Sequence, residues 1–68
     1  MDNPYFKNYE EEYNTLEAME RMGGSFVKLL PELYRRGDGH NKKKLVNTFG
    51  EYFDEYKLKA EEYKNKNE

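Results

Sequence analysis

Apolar and aromatic side chains recur along this chain at spacings of three and four, the period of an α-helix. Tyr5, Tyr9, Tyr13, Leu16 and Met19 open the pattern, with Glu10, Glu11 and Glu12 between them on the solvent side. Asp2 or Asn3 can cap this first helix, and Pro4 suits its first position, where a missing N–H has no partner to lose. The spacing predicts a helix over 3–22. Gly23-Gly24-Ser25 then offers two readings. The direct one is a break, with the next helix capped by Ser25, since a glycine costs about 1 kcal/mol inside a helix. The other is continuity, because Leu16, Met19, Gly23, Phe26, Leu30 and Leu33 keep phase across the glycines. A Gly23 on the inner face would let a second helix approach closely. After a break the second helix is expected over 25–36, and Pro31, lying past its first turn, predicts a kink near Val27–Pro31.

Gly37-Asp38-Gly39-His40-Asn41 reads as a turn, two glycines among short polar residues, with Asn41 capping the last helical region. That region is expected over 42–64, with Leu45, Val46, Phe49, Tyr52, Phe53, Tyr56, Ala60 and Tyr63 as its apolar face. Thr48 with Glu51 matches a capping box, so a bend is placed near Gly50. Residues 65–68 carry no apolar side chain and are expected to fray. The pattern holds no strand and no repeat. The expected fold is all-α, a single helical domain of about three helices. The alternative is a two-helix hairpin, with no break at the glycines, whose apolar stripes need a second copy of the chain to cover them.

Composition sharpens this picture. In 68 residues there are six Leu, two Val and no Ile, against seven Tyr and four Phe. Each aromatic ring buries a large area, which suits a short chain, but tyrosine keeps a hydroxyl that needs water or a partner. A core this small supplies no more than about 3–5 kcal/mol by itself. With no cysteine, disulfides and thiolate metal sites are excluded. The apolar runs are far too short to span a bilayer, and the acidic, polar N-terminus does not resemble a signal peptide. A location in the cytoplasm, away from membranes, is therefore expected.

Charge is unevenly distributed. Residues 1–20 carry six acids against Lys7, residues 21–47 carry seven bases against Glu32 and Asp38, and residues 48–68 carry six acids against four lysines. The basic centre is Arg35, Arg36, Lys42, Lys43 and Lys44, gathered around the turn as a candidate anion or nucleic-acid contact. Arg35 and Arg36 also suit a helix C-terminus through its dipole, and a pI near 5.5 argues against strong non-specific DNA binding. Candidate catalytic groups are sparse. Ser25, His40 and Asp38 compose a triad on paper only, Ser25 being better explained as a cap. Glu51 with Glu55 lacks the histidines of a bundle metal site, and Gly-Gly-Ser lacks the lysine of a phosphate loop. No enzyme activity, cofactor or metal is expected. The tyrosine-rich ends are the stronger candidate: Tyr5, Tyr9 and Tyr13 with Tyr52, Tyr56 and Tyr63 exceed what so small a chain can cover, and tyrosine is enriched where proteins meet. These ends are expected to come together opposite the basic turn.

Ala18-Met19-Glu20-Arg21-Met22-Gly23-Gly24-Ser25-Phe26-Val27-Lys28, followed by Leu33-Tyr34-Arg35-Arg36, Asn41, Lys44-Leu45 and Phe49-Gly50-Glu51-Tyr52-Phe53-Asp54-Glu55-Tyr56, resembles a pattern in small uncharacterised helical proteins of phages and prophages. The resemblance covers residues 18–56 and departs from the pattern at Pro31 and Gly50. It brings no functional residue with it. It implies a context, an accessory phage product acting in a bacterial cytoplasm; small size, missing chemistry and surplus tyrosine, taken with that pattern, point to binding of a protein partner or a second copy of the chain. A nucleic-acid contact through the basic turn and a structural assembly role are the alternatives.

Overall fold

A computed structural model describes residues 5–66. Four α-helices make up this part of the chain: α1 (Tyr9–Met22), α2 (Leu29–Arg36), α3 (Gly39–Thr48) and α4 (Gly50–Lys66). There is no strand among the described residues, and none of the helices is long and apolar enough to cross a membrane. The all-α expectation holds, with four helices in place of about three. Helix α1 lies against α4 along its length and also touches α2; α2 packs on α3, and α3 on α4.

Each boundary has a local cause. The caps expected at Asp2 or Asn3, with Pro4, lie outside the described residues. The described helix starts later, at Asn8, whose side chain accepts the Glu11 N–H at 2.8 Å while the Glu11 carboxylate accepts the Lys7 N–H at 2.9 Å. This is a near relative of the capping box: it satisfies one of the N–H groups a helix start leaves open, that of Glu11, and ties the residue before the cap, Lys7, to the Glu11 side chain. Tyr5 therefore precedes the helix. Phe6 turns inward to the core, its ring meeting the edge of Tyr34 at 6.0 Å.

The chain breaks at Gly23-Gly24, so the continuous long helix is not the architecture adopted. Gly23 ends α1 in an extended conformation, its N–H bonded to the Met19 carbonyl at 3.0 Å. A Cβ there would lie 2.5 Å from the Met19 carbonyl oxygen and 2.6 Å from Val27 Cγ1. Residues 25–28 are turn, not helix, and Ser25 is not a cap; α2 begins at Leu29 after Lys28, which makes no side-chain cap bond. Pro31 then falls in the first turn, where no helical N–H is needed. The kink predicted for a helix over 25–36 becomes a delayed start.

The expected turn over 37–41 is shorter. Asp38, not Asn41, is the cap: its carboxylate accepts the Asn41 N–H at 2.9 Å, and Gly39, His40 and Asn41 join α3. Phe49 makes the bend expected near Gly50. Its N–H closes α3 on the Leu45 carbonyl at 2.8 Å, and its own carbonyl accepts from Tyr52 and Phe53 to open α4. The helical region expected over 42–64, with a bend near Gly50, is the two helices α3 and α4, and helical backbone continues to Lys66. Asn65 and Lys66, expected to fray, are helical; residues 67–68 lie outside the described part of the chain.

Met19, Phe53, Tyr34 and Thr15 are fully buried at the centre, with Leu16, Leu30, Val46, Tyr56 and Ala60 around them. Thr15 turns its hydroxyl back to the Glu11 carbonyl at 2.8 Å, which makes its burial tolerable. The Tyr34 hydroxyl leaves the core to donate to Glu12.

Candidate functional site

The six tyrosines expected to form one contact surface are distributed among five environments. Tyr56 is core. Tyr5 is an anchor: its hydroxyl donates to Asp54, the Lys57 ammonium lies 4.0 Å above its ring, and its edge meets Phe53 at 6.3 Å. Burial, the Asp54 hydrogen bond and the negative charges of Asp54 and Glu11 together push the Tyr5 phenol well above its ordinary range. Tyr13 and Tyr63 face a groove of about 410 Å³ between α1 and α4, shared with Ala18, Met22 and Ala60. Tyr9 is exposed at the start of α1. Tyr52 belongs elsewhere, tilted against Phe26 at 5.6 Å and Phe49 at 6.4 Å. The two ends of the chain do meet, since Lys64 pairs with Glu10 at 3.0 Å and Lys57 donates to the Tyr5 carbonyl at 3.2 Å. The i, i+4, i+8 stripe fails because Tyr5 is not helical.

The basic centre is partly neutralised within the molecule. Arg35 reaches across to α1, where it pairs with Glu20 and lies 4.0 Å from Glu17. Arg36 pairs along its own helix with Glu32 at 3.5 Å. The Lys42 ammonium stands 5.2 Å over the Tyr34 ring. Lys43 and Lys44 are exposed on α3. Ser25, His40 and Asp38 are not brought together by any hydrogen bond among the described residues, and the Asp38 carboxylate is occupied as a cap. Glu55 pairs with Lys59 at 3.8 Å, and among the described residues no three His, Asp or Glu side chains gather to hold a metal.

Two residues that the sequence pattern placed on the inner stripe, Phe26 and Leu33, are exposed, and so is Leu29, which lay off it. Phe26, Leu29 and Leu33 are 53%, 62% and 54% exposed. Leu29 and Leu33 are one turn apart on α2, and Phe26 meets both Phe49, at 5.8 Å, and Tyr52. Leu33 continues into a groove of about 460 Å³ between α2 and α3 floored by Leu45 and Phe49, with Arg36 and Lys44 in its wall. The reason is rotational. With α2 starting at Leu29, the buried set is Leu30, Pro31 and Tyr34, one position on from Leu29 and Leu33, and one residue is about 100° around a helix. The clue in the sequence is the doublets Leu29-Leu30 and Leu33-Tyr34, which make two apolar faces on a helix able to bury one. Family models, curated proteins and solved structures offer no match to this chain.

Proposed function

We propose that this chain is a non-enzymatic protein-interaction module that binds or modulates a partner in a bacterial cell, as an accessory product of a phage or prophage. The observation that carries the reading is the set of exposed apolar side chains at the start of α2, Phe26, Leu29 and Leu33, with Tyr52 against Phe26. Apolar side chains gathered on a surface mark places where proteins meet, whereas single exposed ones need no explanation. The phage context rests on the sequence resemblance alone. The groove of Tyr13 and Tyr63 is the second candidate surface.

Affinity capture from bacterial lysate tests the proposal. Wild-type protein recovers a specific partner, and the double variant L29E/L33E loses it while keeping its helical circular dichroism. Equal recovery by both proteins removes the α2 face from consideration. Loss on Y13A/Y63A instead moves the contact to the α1–α4 groove. The nucleic-acid alternative now rests on Arg36, Lys43 and Lys44, and no mobility shift of DNA or RNA at about 50 mM salt ends it.

A further inference from the structure

We infer that the groove between α2 and α3 receives an acidic, apolar-faced helix of a protein partner, with Leu33, Leu45 and Phe49 as its floor and Arg36 and Lys44 as its charged rim. The inference rests on the protein-binding reading above and names the chemistry of the partner. Comparison of the two grooves leads to it. The α1–α4 groove carries both signs of charge, already matched to each other: Lys64 with Glu10 at 3.0 Å and Arg21 with Glu17 at 3.7 Å. The α2–α3 groove is lined by two cations and no carboxylate.

Neither cation is committed. Arg36 holds Glu32 at 3.5 Å, but the two side chains are 76% and 62% exposed, so this pair contributes little and exchanges readily for a partner's carboxylate. Lys44 is the sixth of the ten residues of α3, outside the last turn in which the helix dipole favours a positive charge. The floor is an apolar trough of the kind that takes an amphipathic helix, and the rings of Phe26 and Tyr52 stand against its Phe49 at 5.8 Å and 6.4 Å. A second copy is disfavoured as occupant. A two-fold interface sets each patch against itself, which would bring the cationic rim of one copy against that of the other.

Two synthetic helical peptides of about 18 residues, long enough to be helical, provide the test. Both carry the same Leu/Phe stripe; the outward positions are Glu in one and Lys in the other. Amide shifts of the full chain are followed by NMR at low salt. The Glu peptide is expected to shift Leu33, Lys44, Leu45 and Phe49 and to bind at least about tenfold tighter than the Lys peptide, a difference of about 1.4 kcal/mol. R36E/K44E, which alters only exposed side chains, reverses the preference, and L33E removes binding of both peptides. Equal affinities, a preference for Lys, or shifts confined to Tyr13, Met22 and Tyr63 overturn the inference. So does a dimer seen by sedimentation that L33E dissolves, because the groove is then filled by a second copy. Should lysate capture depend on Leu29 and Leu33 while the peptides show no charge preference, the protein-binding reading stands and the acidic partner falls.

Discussion

The seam between α1 and α4 and the face made by α2, Phe49 and Tyr52 use aromatic and aliphatic residues in opposite ways. At the seam, polar handles are tied within the chain: the Tyr5 hydroxyl to Asp54, Lys57 over the Tyr5 ring, Lys64 to Glu10. On the other face, Phe26, Leu29 and Leu33 carry no polar atoms on their side chains and stand half or more in solvent. The difference teaches that exposed apolar surplus in a small bundle need not sit where the aromatics are densest. Tyrosine can be spent at an internal seam because its ring packs and its hydroxyl finds a partner. A short helix with two apolar faces has no such outlet. Its second face stays outside.

The most severe test of that contrast pairs one residue from each region. Phe53, fully buried against Tyr5 and Tyr34, should cost about 3–5 kcal/mol when cut to alanine. That is about the whole stability a core of this size supplies, roughly 3–5 kcal/mol, so F53A should lose its helical circular dichroism at 25 °C. L33S should unfold within about 0.5 kcal/mol of wild type in urea. If L33S proves the more damaging change, the α2 face is structural and the contrast is inverted.

A smaller effect is expected at the joint between the two regions. G23A forces a methyl group onto the Met19 carbonyl and Val27 and should cost about 1–3 kcal/mol. Next to it, nothing lies within 4 Å of where a Cβ on Gly24 would be, and G24A should stay within about 0.5 kcal/mol. Urea midpoints of the two variants read the difference directly. Equal midpoints would mean that the end of α1 and Val27 are not held at a close approach at Gly23.

The smallest effect concerns the seam alone. The neutral Tyr5 phenol is favoured by the fold, its ionisation raised above the unfolded value by burial, the Asp54 hydrogen bond and the nearby Asp54 and Glu11 charges. A group whose pKa is raised on folding contributes stability below its unfolded pKa, about 10 for tyrosine, and loses it as pH climbs beyond that value. Thermal melts should therefore show wild type losing stability above about pH 10 more steeply than Y5F. Identical slopes would remove Tyr5 as an anchor.

Much of the architecture was legible in local signals. The Asn8-Tyr9-Glu10-Glu11 start is a readable cap followed by an acidic first turn, yet Asp2, Asn3 and Pro4 compete for the same role a few residues earlier. Burial of Phe6 goes with a non-helical approach to Asn8, and that burial depends on Tyr34, a residue far along the chain. At the turn, Asp38 and Asn41 are both good caps. Asp38 stands first, and its carboxylate reaches the Asn41 N–H, so Asn41 is drawn into α3. Of the candidate contact residues, Tyr9, Tyr13 and Tyr63 are exposed as a contact would need, whereas Tyr56 is core and Tyr5 is engaged. The basic turn kept its exposed lysines but lost Arg35 to Glu17 and Glu20 and Lys42 to the Tyr34 ring, pairings between elements that no local pattern reveals.

The amino-acid sequence by itself determined that this chain is helical, that it turns at Gly37-Asp38, and that Val46, Phe53, Tyr56 and Ala60 are inner positions, while at Gly23-Gly24 it left a break and a continuous helix both open. Helical period and backbone chemistry act over a few residues, so they can be read without a fold. Tertiary structure alone decided which apolar face of α2 turns inward and which tyrosines are consumed at the seam. A helix that restarts after a loop takes its phase from the packing it meets, and a one-residue change in that phase moves every side chain by about 100°. That rotation separates Leu30 and Tyr34 in the core from Leu29 and Leu33 on the surface.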